Sequence, residues 1–268
     1  MLGIGLSINN NEVGESGPTL PLDEITGAQL AFSASRKLRD AYSGSAIRIR
    51  RSSDDAEQDI GFSGNDIDES AITTFAGSNS AYVVTAYDQS GNSLDFTYPT
   101  AALQPRIVNA GTVDKVNGKV SMYFATLTRL ELSGFTGGAT TTIFAVTGGN
   151  SDLKILLRGQ TGTYFCGMSN DTNAAASYQN VGTPTNYVNG SSIGTTRDNM
   201  HDALNNTQAL TSITSLDFSS LTGLGTYFGG TPRYDSKEYF QELIIYDSDK
   251  SSDRTTIETN CNDYYGIY

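Results

Sequence analysis

The sequence predicts an all-β protein: a sandwich or barrel of many short strands carrying a few short helices. Three observations lead there. Runs rich in β-branched and aromatic residues recur along the chain, among them "AYVVTAYDQSGN", "TTTIFAVTGG" and "EYFQELIIYDS", and Gly- or Asn-rich turns close most of them. Gly is frequent at 28 residues while hydrophobic residues make up 37%, which suits a turn-rich β protein with a hydroxyl-covered surface. No fixed-period repeat appears, and 268 residues are enough for one large β domain.

The elements follow in chain order. Residues 1–25 stand apart, with a short apolar head (Leu2, Ile4, Leu6, Ile8) and then Asn, Gly, Ser and Pro; they read as an arm or linker ahead of a domain at 26–268. "AFSASRKLRDAY" places Ala34, Leu38, Ala41 and Tyr42 on one helical face. "GSAIRIRR" alternates, with Ile47 and Ile49 on one side of a strand and Arg48 and Arg50 on the other. "DIDESAITTFAG" predicts a short helix entered at Asp66 or Asp68 and ended by Gly77. Further strands are expected in "LDFTYP", "QPRIVNAG", "KVSMYF", "TRLELSG", "TTTIFAVTGG", "LKILLRGQ", "GTYFCGMS", "QALTSI", "LGTYFGG" and "EYFQELIIYDS". A terminal helix closes the chain, capped by Ser251 or Ser252, left through Gly266, and docked by Ile257, Cys261, Tyr264 and Tyr265.

Charge and rare residues narrow the chemistry. A net charge of −12 lacks the basic footprint a nucleic-acid binder needs. No apolar run is long enough to span a membrane, and the start carries no positively charged segment of a secretory signal, so the protein is expected to fold where it is made, or its native start has been trimmed. Cys166 and Cys261 are not spaced as a metal pair; they are either two buried thiols or one disulfide. His201 is the only histidine, which argues against a His-based zinc site or a Ser-His-Asp triad, and the stretch around Ser192, Thr196, His201 and Asp202 reads as a solvated loop.

Three groups of residues are candidates for function. The twelve residues Arg48 to Asp59 hold three arginines and four acids. That near balance points to structural ion pairs, with Arg48 and Arg50 taking Asp54, Asp55 and the acids that follow, rather than to a polyanion patch. In "YDQSGN" and beyond, Asp88, Asn92 and Asp95 offer the oxygens that Ca2+ prefers, although Asx-turn bonding explains the same residues and no cofactor is required. Tyr178, Tyr187, Tyr227 and Tyr234 lie near Asn- and Thr-rich loops and could stack on a sugar ring, or fill core edges and interfaces.

Two stretches carry a resemblance. "KLRDAYSGSAIRIRRSSDDAEQDIGF" followed by "VVTAYDQSGNSLDFT" is similar to the catalytic β-sandwich of fungal α-L-arabinofuranosidase B, and more closely resembles concanavalin A-like (laminin-G-like) domains of phage virion proteins. The ending "FQELIIYDSDKSSDRTTIETNCNDYYGI" looks like the closing strand and helix of those domains. The resemblance implies a jelly-roll sandwich whose first and last strands lie side by side. It also implies a retaining hydrolase with a mid-domain Glu nucleophile and an Asp acid after a Gly-Gly turn. Here no glutamate lies between Glu131 and Glu238, and Thr231 follows Gly229-Gly230. The expectation is therefore a chain with no catalytic pair: a virion structural protein, a head-decoration, tail or fibre-associated subunit. It would dock on other virion proteins through its N-terminal arm, form a homo-oligomer (a trimer by analogy), and touch host-surface carbohydrate. The alternatives are a glycosidase with rearranged carboxylates, for which Glu131, Asp152, Asp171 and Asp235 are the residues to inspect, or a stand-alone carbohydrate-binding module.

Overall fold

The computed structural model describes residues 19–125, 128–149, 155–159, 164–167, 182–204, 208–221, 223–227 and 238–268. The chain enters through a single helical turn, α1 (Pro21–Glu24), and then runs through β1 (Leu30–Ser33), β2 (Ile47–Arg51), β3 (Glu57–Ile60), β4 (Phe62–Ser63) and β5 (Asp66–Ile67). Helix α2 (Glu69–Ala76) leads into β6 (Ala81–Ala86), β7 (Phe96–Thr97), β8 (Arg106–Asn109), β9 (Thr112–Val113), β10 (Lys115–Val116), β11 (Lys119–Val120), β12 (Met122–Phe124) and β13 (Arg129–Ser133). The long strand β14 (Thr141–Gly149) is followed by β15 (Ile155–Gly159), β16 (Tyr164–Gly167), β17 (Gly182–Val188) and β18 (Ser191–Ile193). Helix α3 (Arg197–Leu204), β19 (Ala209–Leu216), β20 (Gly223–Tyr227), β21 (Glu238–Tyr246) and helix α4 (Arg254–Tyr265) complete it.

Among the described residues every strand pairing is antiparallel, and apart from the small hairpins β4–β5 and β10–β11 the strands form two layers. The first runs β3-β2-β6, continues from β6 through β7 to β13, and extends through β20 and β15 to β16. The second has β21 at its centre, with β14 along one edge and both β1 and β12 sharing the other; β19, β17 and β18 follow beyond β14. Strand β8 pairs with β6 and with β12 and so joins the layers at a corner. Between them lies the main core, built on Phe32, Phe96, Phe124, Phe240 and aliphatic side chains of both layers. The result is the β-sandwich expected from the sequence, with its first and last strands paired.

The middle of the second layer is buried on both faces. Ile143 and Ala145 of β14 face the main core, while Phe144 and Val146 face a second cluster beneath α4, α1 and residue Leu38. That explains why "TTTIFAVTGG" reads as a continuous apolar run. In β21, Val146 pairs with Glu242 and Thr147 with Phe240, so Gln241 is the extra residue of a bulge. The bulge lets both Phe240 and Leu243 face inward. The first layer is covered on its inner face alone: β2 buries Ile47 and Ile49 and turns Arg48 and Arg50 outward.

Two expectations are corrected. The segment at 29–42 is not a helix: Leu30–Ser33 pairs with β21, and Ser33 Oγ accepts from the Ser35 and Arg36 amides at 3.1 Å, turning the chain there. Pairing with β21 and burial of all four strand residues outweigh the helical spacing, and Ala34 and Leu38 are buried without a helix. The stretch read as a solvated loop contains helix α3, which buries Met200 and Leu204, with Thr196 Oγ1 accepting from the Asn199 amide. Helix α2 is as read, capped by Asp68 Oδ1 on the Ala71 amide and ended by Gly77. Helix α4 starts after Asp253, Ser251 bonds to Asp249 instead of capping it, and Gly266 leaves it in the left-handed conformation (φ 62°). Of the segment read as an arm, residues 19–25 lie against the body, with Leu20 and Leu22 buried; Leu2, Ile4, Leu6 and Ile8 lie outside the described residues.

Candidate functional site

The outer face of the first layer carries a broad set of polar side chains, and these form the candidate site. Alternation along each strand sends apolar residues inward and leaves tyrosine, arginine, threonine and acids outside. On β13, Leu130 and Leu132 enter the core, so Arg129 and Glu131 stand outward. Glu131 lies between Thr97 on β7 and Gly225 on β20. Its side chain is 42% exposed, and Arg129 Nε stands 3.3 Å from its Oε1. Arg129 also donates to the Tyr98 hydroxyl and stacks on that ring at 4.6 Å.

A second set lies along the joined edge of the layers. Arg106 makes a two-pronged bond to Asp114 (2.8 and 2.9 Å) and lies 4.5 Å over the ring of Tyr123. Its guanidinium is held further toward the charged form by Asp114, against the opposing effect of burial. Tyr123 in turn meets Tyr239 with ring centroids 5.0 Å apart. Burial, with the nearby Asp114 carboxylate, pushes the Tyr239 hydroxyl up.

The charged stretch that runs along β2 and beyond it is a set of ion pairs. Arg48 takes Asp59 with two bonds of 2.8 Å, and Tyr87 adds a third to the same carboxylate at 2.7 Å. Burial, reinforced by Asp59, pushes the Tyr87 hydroxyl up to about 12. Arg50 takes Asp55 (2.6 Å), Gln104 Oε1 (2.9 Å) and the Ala101 carbonyl (3.2 Å). Asp54 goes to Arg51 instead, at 2.9 and 2.7 Å, and the Arg51 hydrogen bond holds its carboxyl down at about 2. Glu57 and Asp59 belong to strand β3 rather than to a loop, which puts Asp59 directly opposite Arg48.

The "YDQSGN" loop is stitched to β1 and the segment after it. Asp88 accepts four hydrogen bonds: from the amides of Ala31, Ser90 and Leu94, and from the Ser90 hydroxyl. Gln89 bonds the Leu38 amide and the Arg36 carbonyl, and Asn92 Nδ2 donates to the carbonyls of Ala28 and Gln29. Asp95 accepts from the Asp88 amide; burial pushes its carboxyl up, and the Asp88 carboxylate adds to that rise. Asp88 and Asp95 thus accept from N–H and O–H donors, and among the described residues no group of three His, Cys, Asp or Glu side chains is placed to hold a metal ion.

Of the tyrosines singled out from the sequence, Tyr187 lies on β17 with the Arg254 guanidinium 3.8 Å over its ring, against α4 and away from the open face. Tyr227 is placed by register opposite Arg129, while Tyr178 and Tyr234 fall outside the described residues. Asp152, Asp171 and Asp235 fall outside them too. Cys261 is a free, buried thiol. Sequence reasoning missed Tyr82, Tyr98, Arg106, Tyr123 and Tyr239. The signal was present in the polar phase of each strand's alternation, but the pairing that gathers them joins residues far apart in the chain.

Comparison with known proteins adds the following. Residues 24–124 match the family model for the catalytic domain of α-L-arabinofuranosidase B. Among curated proteins, none matches this sequence. The fold is similar to that of a mutant GH54 α-L-arabinofuranosidase soaked with 4-nitrophenyl α-L-arabinofuranoside, at 15% identity and a TM-score of 0.58, over 87% of this chain and 62% of that one. It is equally similar to an arabinofuranosidase complexed with arabinofuranosyl-α-1,2-xylobiose, at 16% identity and a TM-score of 0.60, over 90% of this chain and 64% of that one. The chain therefore spans less than two thirds of the length of these structures. These matches overturn the expectation of a non-catalytic virion subunit: what the chain is similar to is the catalytic domain of an arabinofuranosidase, not a virion protein.

Proposed function

We propose that this chain is a glycoside hydrolase of the arabinofuranosidase type, working on the open face of the first layer. The match of residues 24–124 to a catalytic-domain family model carries the reading, and the sandwich shared with arabinofuranosidases supports it. Retaining hydrolysis needs two carboxyl groups about 5 Å apart. One attacks the anomeric carbon as the other protonates the departing oxygen; the second then takes a proton from water, which cleaves the glycosyl ester and returns both groups to their starting forms. Glu131 is the candidate for one of these roles: it is half exposed, faces outward, and lies opposite Gly225. Arg129 holds its carboxylate in position. The second carboxyl would come from Asp152, Asp171 or Asp235.

The test is direct. The purified chain, mixed with 4-nitrophenyl α-L-arabinofuranoside, should release 4-nitrophenol, and Glu131→Gln should lower that rate by about a hundredfold or more. No release above the blank overturns the hydrolase reading. Release that Glu131→Gln leaves unchanged removes Glu131 from the mechanism.

A further inference from the structure

Arg39 stands apart from the arginines around it. In Arg36, Arg48, Arg51 and Arg106 the Nε–Nη2 edge of the guanidinium takes a carboxylate in a two-pronged bond. In Arg39 that edge meets no partner among the described residues: the side chain donates once, from Nη1 to the Ser90 carbonyl at 2.5 Å, and no acid forms an ion pair with it. Acids are plentiful in a chain of net charge −12, so this vacancy is specific to the site. Arg39 lines a pocket of about 360 Å3 between the entry segment, the segment after β1 and the "YDQSGN" loop, together with Asp23 and Asn92. Asp23 Oδ2 accepts from the Asp40 amide at 2.7 Å, which leaves Oδ1 without a donor among the described residues. Asn92 commits Nδ2 to the carbonyls of Ala28 and Gln29, which leaves its Oδ1 as a second acceptor. Leu22 and Ala28, both buried, give the pocket an apolar wall. The site is held in advance of any ligand: the four bonds to Asp88 fix the loop, and Gly91, at φ 99°, has no side chain where a Cβ would lie 3.0 Å from Arg39 Nη1.

We propose that this pocket binds a small zwitterion of the amino-acid type, its carboxylate on the Nε–Nη2 edge of Arg39 and its ammonium between Asp23 Oδ1 and Asn92 Oδ1. The proposal is independent of the hydrolase reading, and its failure leaves that reading untouched. Opposite charges that line one pocket without pairing leave a gap for a ligand that bridges them. The planar guanidinium edge matches a carboxylate, as it does four times elsewhere in this protein. Two acceptors without donors call for N–H or O–H groups at the other end, and the Asp23 carboxylate favours a cationic one. Arg39 and Asp23 are the charged side chains of the lining, so a phosphate dianion would be attracted from one side and repelled from the other. An uncharged sugar would satisfy neither charge.

Calorimetric titration of the full chain with L-valine tests this, with amide NMR shifts to locate the site. L-valine should bind saturably with a Kd on the order of 1 mM, and shift the amides of Gly27, Gly91 and Asn92. Isovalerate, which lacks the ammonium, and isobutylamine, which lacks the carboxylate, should each bind about tenfold more weakly or worse. Arg39→Gln should remove L-valine binding. Asp23→Asn should weaken L-valine and turn the preference toward isovalerate, a reversal that a merely structural role for Asp23 would not produce. Thermal melting of both variants is followed alongside, and if Arg39→Gln fails to fold, the Asp23→Asn reversal is read instead. Absence of both saturable heat and amide shifts with L-valine overturns the proposal. So do equal binding of the three probes, tighter binding of D-glucuronate or inorganic phosphate than of L-valine, and undiminished binding by folded Arg39→Gln.

Discussion

Arg36 and Glu242 meet in a buried two-pronged ion pair, Nε to Oε2 and Nη2 to Oε1, both at 2.8 Å, across 206 residues of sequence. The side chains are 4% and 2% exposed, so this pair sits where desolvation is costly and every remaining lone pair must be met. It is met: Tyr265 donates to Oε2 at 2.9 Å, Cys261 Sγ lies 3.4 Å from Oε1, and Asn260 accepts from Arg36 at 2.9 Å. The Arg36 guanidinium also lies 4.6 Å from the centre of the Tyr264 ring. Burial works against the charge, but the Glu242 carboxylate outweighs it and Arg36 is held more firmly protonated than usual. The pair thereby ties the segment after β1, strand β21 and helix α4 into one unit.

Removing one partner leaves the other charge buried and alone. Glu242→Ala should therefore destabilise the fold by about 3–5 kcal/mol, measured by urea unfolding, whereas Arg36→Met with Glu242→Leu should cost much less. Equal losses in the two variants would show that the charges are not coupled.

The acid limb of stability should include Asp54. Its carboxyl is held at about 2, against an ordinary value of 3.8, chiefly by the hydrogen bond from Arg51. A lowered folded pKa means a contribution that is complete above the ordinary value and disappears as pH falls through about 2. The thermal midpoint of Asp54→Asn should lie below that of the parent at pH 5, and the gap should close toward pH 2. A gap that stays constant over that range contradicts the pairing.

Cys261 should be chemically silent in the native protein. It is enclosed on the inner face of α4, and burial pushes its thiol well up, with the Glu242 carboxylate acting in the same direction. A thiol reagent at neutral pH should label it only under denaturing conditions, read by mass spectrometry of the Cys261 peptide. Labelling at the rate of a free thiol would mean that α4 opens readily.

Gly138 has no room for a side chain. A Cβ there would lie 2.0 Å from the Asp247 carbonyl oxygen, a backbone atom that cannot rotate away. Gly138→Ala should cost about 1–3 kcal/mol by chemical denaturation, as overpacked sites do. An unchanged unfolding midpoint would show that the 138–141 turn is free to shift.

The local parts of this fold were legible. Asp68 and Gly77 bound α2 because capping needs those residue types at those places, and the Ile/Arg alternation of β2 reported its two faces. The helix read into residues 29–42 failed because Leu30–Ser33 is buried throughout and pairs with β21, more than 200 residues away. The candidate site was legible only in pieces: Arg48 and Arg50 were found as outward, paired residues. Tyr82, Arg106, Tyr123 and Tyr239 become one row only when β2, β6, β8, β12 and β21 are laid edge to edge. The choice of acid within the charged stretch followed the strand register at Asp59 and the turn at Asp54 and Asp55, and neither can be read from spacing alone.

The pairing of β1 with β21 also sets a timetable for biosynthesis. A ribosome delivers Leu30–Ser33 early, yet the strand that completes their ladder is made only when residues 238–246 appear. Until then the second layer lacks its central strand, and the apolar edges of β1, β12 and β14 wait without a partner. Folding of this chain should thus be slow, dominated by distant contacts, and dependent on chaperones that shield nascent sheet edges during translation.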